Sequence, residues 1–408
     1  MLLSQHLRKR SLTICAIVTL GILFAGLTGC SSDPTPVATP TATRTPIPTH
    51  TDTPDTPTAT ATPRATRTPR ASATPASLAP TPFPPDVNPL TGLKVEDEAL
   101  LDQIPVAIKV SNSPEVRPQS GLNAADLVFE HFAEGGITRF TAVFYGQEPE
   151  TVGSVRSGRL IDLEVPAMYH ALFGYSGSSA GVKNRIRNSD LFPDYIAAPD
   201  FGVGTPYFYR VPQAGKAFEH TLFTNPEVLR DLAEERGINE RPEFPTLMAF
   251  SDEAPAGGEP VSYFEVNYLP GSCTAEWTYD EEAGVWGRAT AGRTHTDALT
   301  GEQVTAANVI IVYANHLYTD ILEDTWGGGH WSIEIQTWGQ GPALIFRDGQ
   351  MYAGIWKRTE RDHMLTYYYG DETPLPLKPG NSWVQLVPLD TDSTEIGEGE
   401  YEFKPPKM

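Results

Sequence analysis

The sequence predicts an α/β fold: an N-terminal β/α part on a mixed sheet, followed by a mainly antiparallel β part. Three observations carry this. Residues 126–192 read strand, loop, helix, strand, loop, helix, the order of β/α units with a parallel pair. A composition break, "DEAPAGGEPV" at 252–261, comes next. Beyond 262, short aromatic and β-branched runs alternate with tight turns, as hairpins and a meander do.

Each element has its own justification. Asn88-Pro89 and Thr91-Gly92 are turn signals that open the folded region. "IPVAIKVSN" (104–112) alternates apolar and polar residues as a strand does. "DLVFEHFAEGGITRFTAVFY" (126–145) predicts two strands joined at Gly135-Gly136, because glycine supplies the positive φ of a two-residue hairpin turn; a helix over 127–133 is the competing reading. In that hairpin register Glu130, Phe132 and Glu134 share a face with Ile137, Arg139 and Thr141. "VGSVRSGR" (152–159) is a loop. "RLIDLEVPAMYHAL" has helical spacing, which Pro166 divides into short pieces. "ALFGYSG" (171–177) is a buried strand, and "SSAGVKNRIRNSDLF" a helix capped by Ser178 or Ser179. "TNPEVLRDLAEERG" (224–237) is a helix with Thr224 or Asn225 as cap, Pro226 in its first turn and Gly237 as its stop. "FRDGQMYAGIW" is a hairpin with a two-residue Asp-Gly turn.

Ahead of this lies a chain with another job. Arg8, Lys9 and Arg10 precede an uncharged apolar run, Leu12 to Leu27, the layout of a secretory signal. "LTGC" ends it and resembles the bacterial lipobox, in which small residues precede a cysteine that receives lipid. Cys30 is the lipidation site, and two or more acyl chains on it hold a protein to a membrane stably. Residues 33–86 follow, with Thr and Pro at 30 of 54 positions. So few apolar residues build no core, and the segment is an extended tether. The expected organisation is therefore a signal peptide (1–29), a lipidated cysteine and linker (30–86), an α/β subdomain (87–252) and a β-rich subdomain (253–408). The protein is expected on the outer face of the cell membrane or on the cell surface.

Residues 87–408 hold 23 Lys and Arg against 47 Asp and Glu, a net charge of −24. Such a surface repels nucleic acid and anionic headgroups. Cys273 is the one cysteine beyond the lipidation site, so no internal disulfide and no cysteine-based metal centre is expected, and no motif asks for a cofactor.

Against that acidity, "VGSVRSGR" stands out. With "YSGSSAG" it forms a pair of successive strand-to-helix loops, the place where α/β sheets bind ligands. Backbone N–H groups and a helix start favour an anion there. Arg156 and Arg159 add guanidinium forks suited to carboxylate or phosphate. A second reading stays open: the arginines pair internally with Glu130, Glu134 or Asp162 and pin the hairpin to the helix. His295 with Asp297, and His316 with Asp320, are two further polar pairs that nothing in the sequence joins. Trp326, His330 and Trp331 in "WGGGHW" read as sheet aromatics or a stacking platform. Ser154, Ser157, Ser176, Ser178 and Ser179 raise the question of a nucleophile: "YSGSS" is not the Gly-x-Ser-x-Gly elbow, and "SGSSAG" places no base at a known spacing, with His170 and His220 the available histidines.

The runs "NPLTGL", "RPQSGLNAADLVFEHFAEGGITRF", "VGSVRSGR", "HTDALTGEQVTAANVII", "FRDGQMYAGIWKR" and "LKPGNSWVQLVP" together resemble the YerB-like family of bacterial lipoproteins across 88–408. The resemblance implies a two-part α/β fold and membrane-attached export, and it implies no reaction. Its recurring residues fall here on Arg117, Pro118, Ser120, Gly121, Asp126, Glu130, Gly135, Gly136, Thr138, Arg139, Arg156 and Ser157. At "FEHTLFTN" (218–225) this chain departs from a Pro-His-Asn-like segment, leaving His220 as the available substitute.

The expected ligand-binding residues are thus Arg117, Glu130, Arg139, Arg156, Ser157, Arg159, Ser176, Ser178 and Ser179. The leading expectation is a binding module for an anionic or polar envelope ligand or a protein partner. An enzyme acting on wall glycan, peptide or a phosphate-linked polymer, with Glu130 and Glu134 as acid and base, is the alternative. A purely structural envelope protein is the third.

Overall fold

The computed structural model describes residues 83–212, 215–325 and 328–408. The signal segment, Cys30, most of the tether and Trp326 lie outside the described residues.

The apolar strand runs build the centre. Strand β1 (Val106–Ser111) is buried along its whole length because both its faces are covered. β2 (Leu127–Phe132) and β3 (Thr138–Phe144) form the antiparallel hairpin, and β3 pairs with β1. β4 (Val152–Gly153) belongs to a small separate sheet. The run "ALFGYSG" supplies β5 (Leu172–Gly174), parallel to β1, and β6 (Ile196–Ala197) follows it in parallel. Around Pro166 the helical pattern splits into a short turn, Leu160–Leu163, and helix α1 (Val165–Met168). Helix α2 (Ala180–Arg187) is capped by Ser179, and α3 (Pro226–Glu235) by Asn225, each side chain accepting a backbone N–H of the first turn.

The chain's last third continues this same sheet. Strand Ser382–Pro388 lies parallel to β2 on one side and to the long strand Asn308–Asp324 on the other. The antiparallel strands Gly339–Arg347, Gln350–Arg358 and Thr366–Tyr368 then complete the row. Strands from both sides of residue 252 thus share one sheet, and the described residues fall in one compact unit. The Asp-Gly hairpin forms as the sequence predicts: Asp348 and Gly349 both take positive φ, at 50° and 66°, and Arg347 faces Gln350.

One face of this sheet packs on a second, mainly antiparallel sheet built from Tyr263–Leu269, Cys273–Asp280, Val285–Thr290 and the C-terminal strands. Aromatic contacts fill the interface: Phe264 stacks on Phe346 at 3.8 Å, and Trp383 meets Phe140 and Trp277 edge-on. The Leu160–Leu163 turn covers the other face, where Asp162 reaches Lys109 and Thr141, whereas Leu229 of α3 packs over Gly174 of β5 on the Phe140 face, beyond the second sheet. The architecture is α/β, with mixed and antiparallel sheets and few helices.

One expectation fails in an instructive way. The β2–β3 connection is not a two-residue turn. Ala133 N–H bonds Ile137 C=O at 2.7 Å, so the loop spans 133–137, with Gly135 and Gly136 both at positive φ inside it. Phe132 consequently faces Thr138, Glu130 faces Phe140, and Arg139 faces His131. Relative to the two-residue turn, this is a slip of one residue, and a slip of one moves a side chain to the other side of the sheet. Glu130 and Arg139 therefore lie on opposite faces.

Candidate functional site

The two glycine- and serine-rich loops meet. After β4 the chain returns along β1, where Arg156 N–H bonds Lys109 C=O at 2.9 Å. Ser176 N–H then bonds Arg156 C=O, and Gly158 N–H bonds Gly177 C=O, each at 3.0 Å. The loops are zipped together beside the carboxyl ends of the parallel strands β1 and β5, with Ser179 starting α2 immediately beyond.

Beneath them lies a buried polar layer on the face shared by Lys109, Ser111, His131, Arg139 and Thr141. The Lys109 ammonium is fully buried. It donates to Asp162 Oδ1 (2.8 Å), Thr141 Oγ1 (2.9 Å) and His131 Nε2 (2.6 Å). An ammonium only donates, so His131 accepts at Nε2 and carries its proton on Nδ1, which donates to Phe132 C=O at 2.8 Å. Burial pushes the Lys109 pKa down to about 8 against the pull of Asp162, and holds His131 neutral.

Above this layer, Glu134 is gripped by two arginines. Arg159 Nε and Nη2 donate to its two carboxylate oxygens, a bidentate pair, and Arg139 Nη1 stands 3.5 Å from Oε2. Burial alone would raise the Glu134 pKa; Arg159 and then Arg139 outweigh it and hold the carboxyl down at about 2. Arg139 is lowered to about 9, first by burial and then by the Arg159 charge. Glu323, from the long strand Asn308–Asp324, approaches Arg159 at 3.9 Å, and burial raises its pKa.

Arg156 differs from its neighbours. Its half-buried side chain makes no hydrogen bond or ion pair among the described residues. Burial lowers its pKa; Glu219 pulls it upward, and Arg159 opposes that. On the paired loops and the segments beside them, several buried polar atoms lack well-formed hydrogen bonds: Ser154 Oγ, Tyr175 OH, Ser178 Oγ, His220 Nδ1, which is within electrostatic reach of Arg156, and, near Arg159, Glu323 Oε1 and Ser332 Oγ. Tyr175 leans toward Ser178, and Glu323 toward Ser179 and Ser332, without reaching hydrogen-bond geometry. Such a concentration is uncommon in folded proteins, where nearly all buried polar atoms are satisfied.

The structure thus brings together Arg139, Arg156, Ser157, Arg159, Ser176, Ser178 and Ser179. Internal pairing holds for Arg159, which is committed to the Glu134 carboxylate, and not for Arg156. Two expected members lie elsewhere. Glu130 is fully buried on the opposite face, where it accepts from Arg288 (2.9 Å), Thr138 (2.8 Å), Asn112 and Trp383. Arg117 is on that side too, bonded to Asn112 and Cys273.

The remaining polar pairs do not join. His295 bonds Arg288 and Gln119, whereas Asp297 accepts the backbone N–H groups of Gly121, Asn123 and Leu299. His316 donates to Ala314 C=O. Trp331 is exposed, and His330 contacts Asp324. His170 lines a separate cavity with Asp190 and Arg361. Among the described residues no cluster of three His, Cys, Asp or Glu side chains is arranged to hold a metal ion. Sequence reasoning missed Glu323 and Ser332, which arrive from a distant strand pair. It also missed Lys109, although a lysine inside an apolar strand was a readable signal.

Comparison with known proteins adds the following. Residues 90–239 match the N-terminal domain, and residues 264–384 the C-terminal domain, of a family described as a protein of unknown function, DUF3048. The chain is 35% identical over 316 residues to a Bacillus subtilis (strain 168) protein named "Putative lipoprotein YerB", covering 76% of this chain and 89% of that one. The crystal structure of the YerB protein from Bacillus subtilis superposes with a TM-score of 0.61 at 30% identity, over 74% of this chain and 97% of that one.

Proposed function

The chain belongs to the DUF3048 family, and from that premise we propose that it is a lipid-anchored extracytoplasmic module that binds an anionic or polar group of the cell envelope at the paired loops. The anchor rests on the N-terminal signal pattern, on Cys30 and on the name of the Bacillus subtilis relative. One observation carries the binding role. Arg156 is a half-buried guanidinium without a partner, on loops that carry unsatisfied polar atoms in a strongly acidic domain. An uncompensated charge in such a place is costly, and an incoming oxyanion relieves that cost. Arg159 and Arg139 are balanced by Glu134 and Glu323, so the positive charge left over at the loops is that of Arg156.

The enzyme reading loses its named acid and base. Glu130 is enclosed by Arg288 and three other donors, and Glu134 stays ionised far below neutral pH, so neither is free to exchange protons with a substrate.

The test is thermal stabilisation of the full-length protein by inorganic phosphate, glucuronate and soluble wall fragments. Stabilisation by at least one of them, lost in Arg156→Gln, supports the reading. An equal response from wild type and variant, or no response to any probe, refutes it. Separately, Cys30→Ser is expected to abolish fatty-acid labelling and release the protein from membranes; an unchanged membrane fraction would refute the anchor.

A further inference from the structure

On the opposite face of β1, away from the paired loops, a cavity of about 430 Å³ opens between the turn at 114–118 and the strand ends at 290–296. Its lining includes two arginines, Arg117 and Arg293, and three threonines, Thr290, Thr294 and Thr296, and no carboxylate. For a domain of net charge −24 this is an unusual wall.

Arg117 sits against a buried hydrogen-bonded chain that fixes it. Its Nε donates to Asn112 Oδ1 (3.1 Å), and Nη2 donates to Asn112 C=O (2.7 Å) and approaches Cys273 Sγ (3.7 Å). Nη1 has no partner among the described residues. Asn112 in turn donates to Glu130 and Thr138. The carboxylate that most influences Arg117 from the interior is Glu130, and Arg288 already holds it at 2.9 Å. Arg288 Nη1 also donates to His295 Nδ1 at 2.6 Å, so His295 is neutral and its Nε2–H donates to Gln119 at 2.7 Å. Arg117 therefore has no ion-pair partner of its own: Glu130 is held by Arg288, and Glu115 acts on Arg117 only through space.

A second guanidinium lines the same space. Arg293, on the exposed strand Arg293–Thr294, makes no ion pair among the described residues. One fixed guanidinium and a second on the rim are what an oxyanion needs for two charge-assisted hydrogen bonds.

We infer that this cavity is a second ligand site, taking a small molecule or chain end that carries a single phosphate or carboxylate. The oxyanion sits between Arg117 and Arg293. The volume exceeds that of a bare oxyanion, and Pro114, Pro118 and Ala291 give the rest of the molecule weakly apolar walls. A polyanion is disfavoured, because the surrounding surface is strongly negative. Arg117 and Arg156 share no hydrogen-bond partner, and the one carboxylate within electrostatic reach of both, Glu115, hydrogen-bonds neither.

The experiment is isothermal titration of the detergent-solubilised full-length protein, at low ionic strength, with inorganic phosphate, glycerol 3-phosphate and succinate. The proposal expects saturable binding of at least one probe, weakened tenfold or more by Arg117→Gln and at least threefold by the exposed substitution Arg293→Gln. Arg156→Gln is expected to leave this binding event unchanged, so failure here and failure at the paired loops are distinguishable. Preference for the phosphate probes or for succinate identifies which oxyanion the site takes. Loss of binding in Arg156→Gln with none in Arg117→Gln and Arg293→Gln would overturn the assignment, as would the absence of saturable binding by all three probes.

Discussion

Replacing Glu134 by glutamine probes the charge balance of the paired-loop site directly. In the folded protein this carboxyl has a pKa of about 2, against 4.5 for an unperturbed glutamate. A folded-state value below the unfolded one means that the group contributes stability above pH 4.5 and loses it as the pH falls toward 2. About 2.5 units at about 1.36 kcal/mol each give about 3 kcal/mol at pH 6, of which about 1 remains at pH 3. The Glu134 side chain is 9% exposed, so solvent screening removes little of this. Urea unfolding of wild type and Glu134→Gln at both pH values is the assay. The gap between the two proteins should shrink by about 2 kcal/mol on going from pH 6 to pH 3. The variant also frees the guanidinium fork of Arg159, so phosphate should stabilise it more than wild type at pH 6. A stability gap that does not change with pH would refute the electrostatic account of Glu134, and an unchanged phosphate response would refute its role in restraining the arginines.

Two further outcomes follow from the packing. Glu130→Gln weakens a fully buried pair with Arg288 and should lower stability by about 3–5 kcal/mol in denaturant titrations; a fully stable variant would contradict the ion-pair network. Gly181→Ala in α2 should gain about 1 kcal/mol of helix propensity yet destabilise overall, because the new Cβ would lie 2.4 Å from Ile321 Cγ2 and overpacking costs about 1–3 kcal/mol. A rise in melting temperature would show that α2 does not rest on the long strand as described.

Local signals in the sequence were dependable. The Asp348-Gly349 turn, the Ser179 and Asn225 caps and the break at Pro166 each depend on a few adjacent residues and formed as expected. The neighbouring positions of "VGSVRSGR" and "YSGSSAG" followed from the β/α order alone. What escaped was register and long-range pairing. Two glycines suit a two-residue turn and a five-residue loop equally, and the deciding bond, Ala133 to Ile137, has no signature in the residue types. That single ambiguity moved Glu130 away from the arginines. Glu323 joined them from about 160 residues downstream of Arg159 through strand packing that no periodicity encodes.

The strand Ser382–Pro388 has a consequence for biogenesis. β2 is synthesised early, yet the neighbour that satisfies its open edge is encoded about 250 residues later. Until that stretch is present, the hairpin's outer backbone groups stay unpaired and the sheet cannot close. Completion of the sheet thus waits on residues 382–388, and a chain truncated before them would leave an open strand edge prone to wrong pairing.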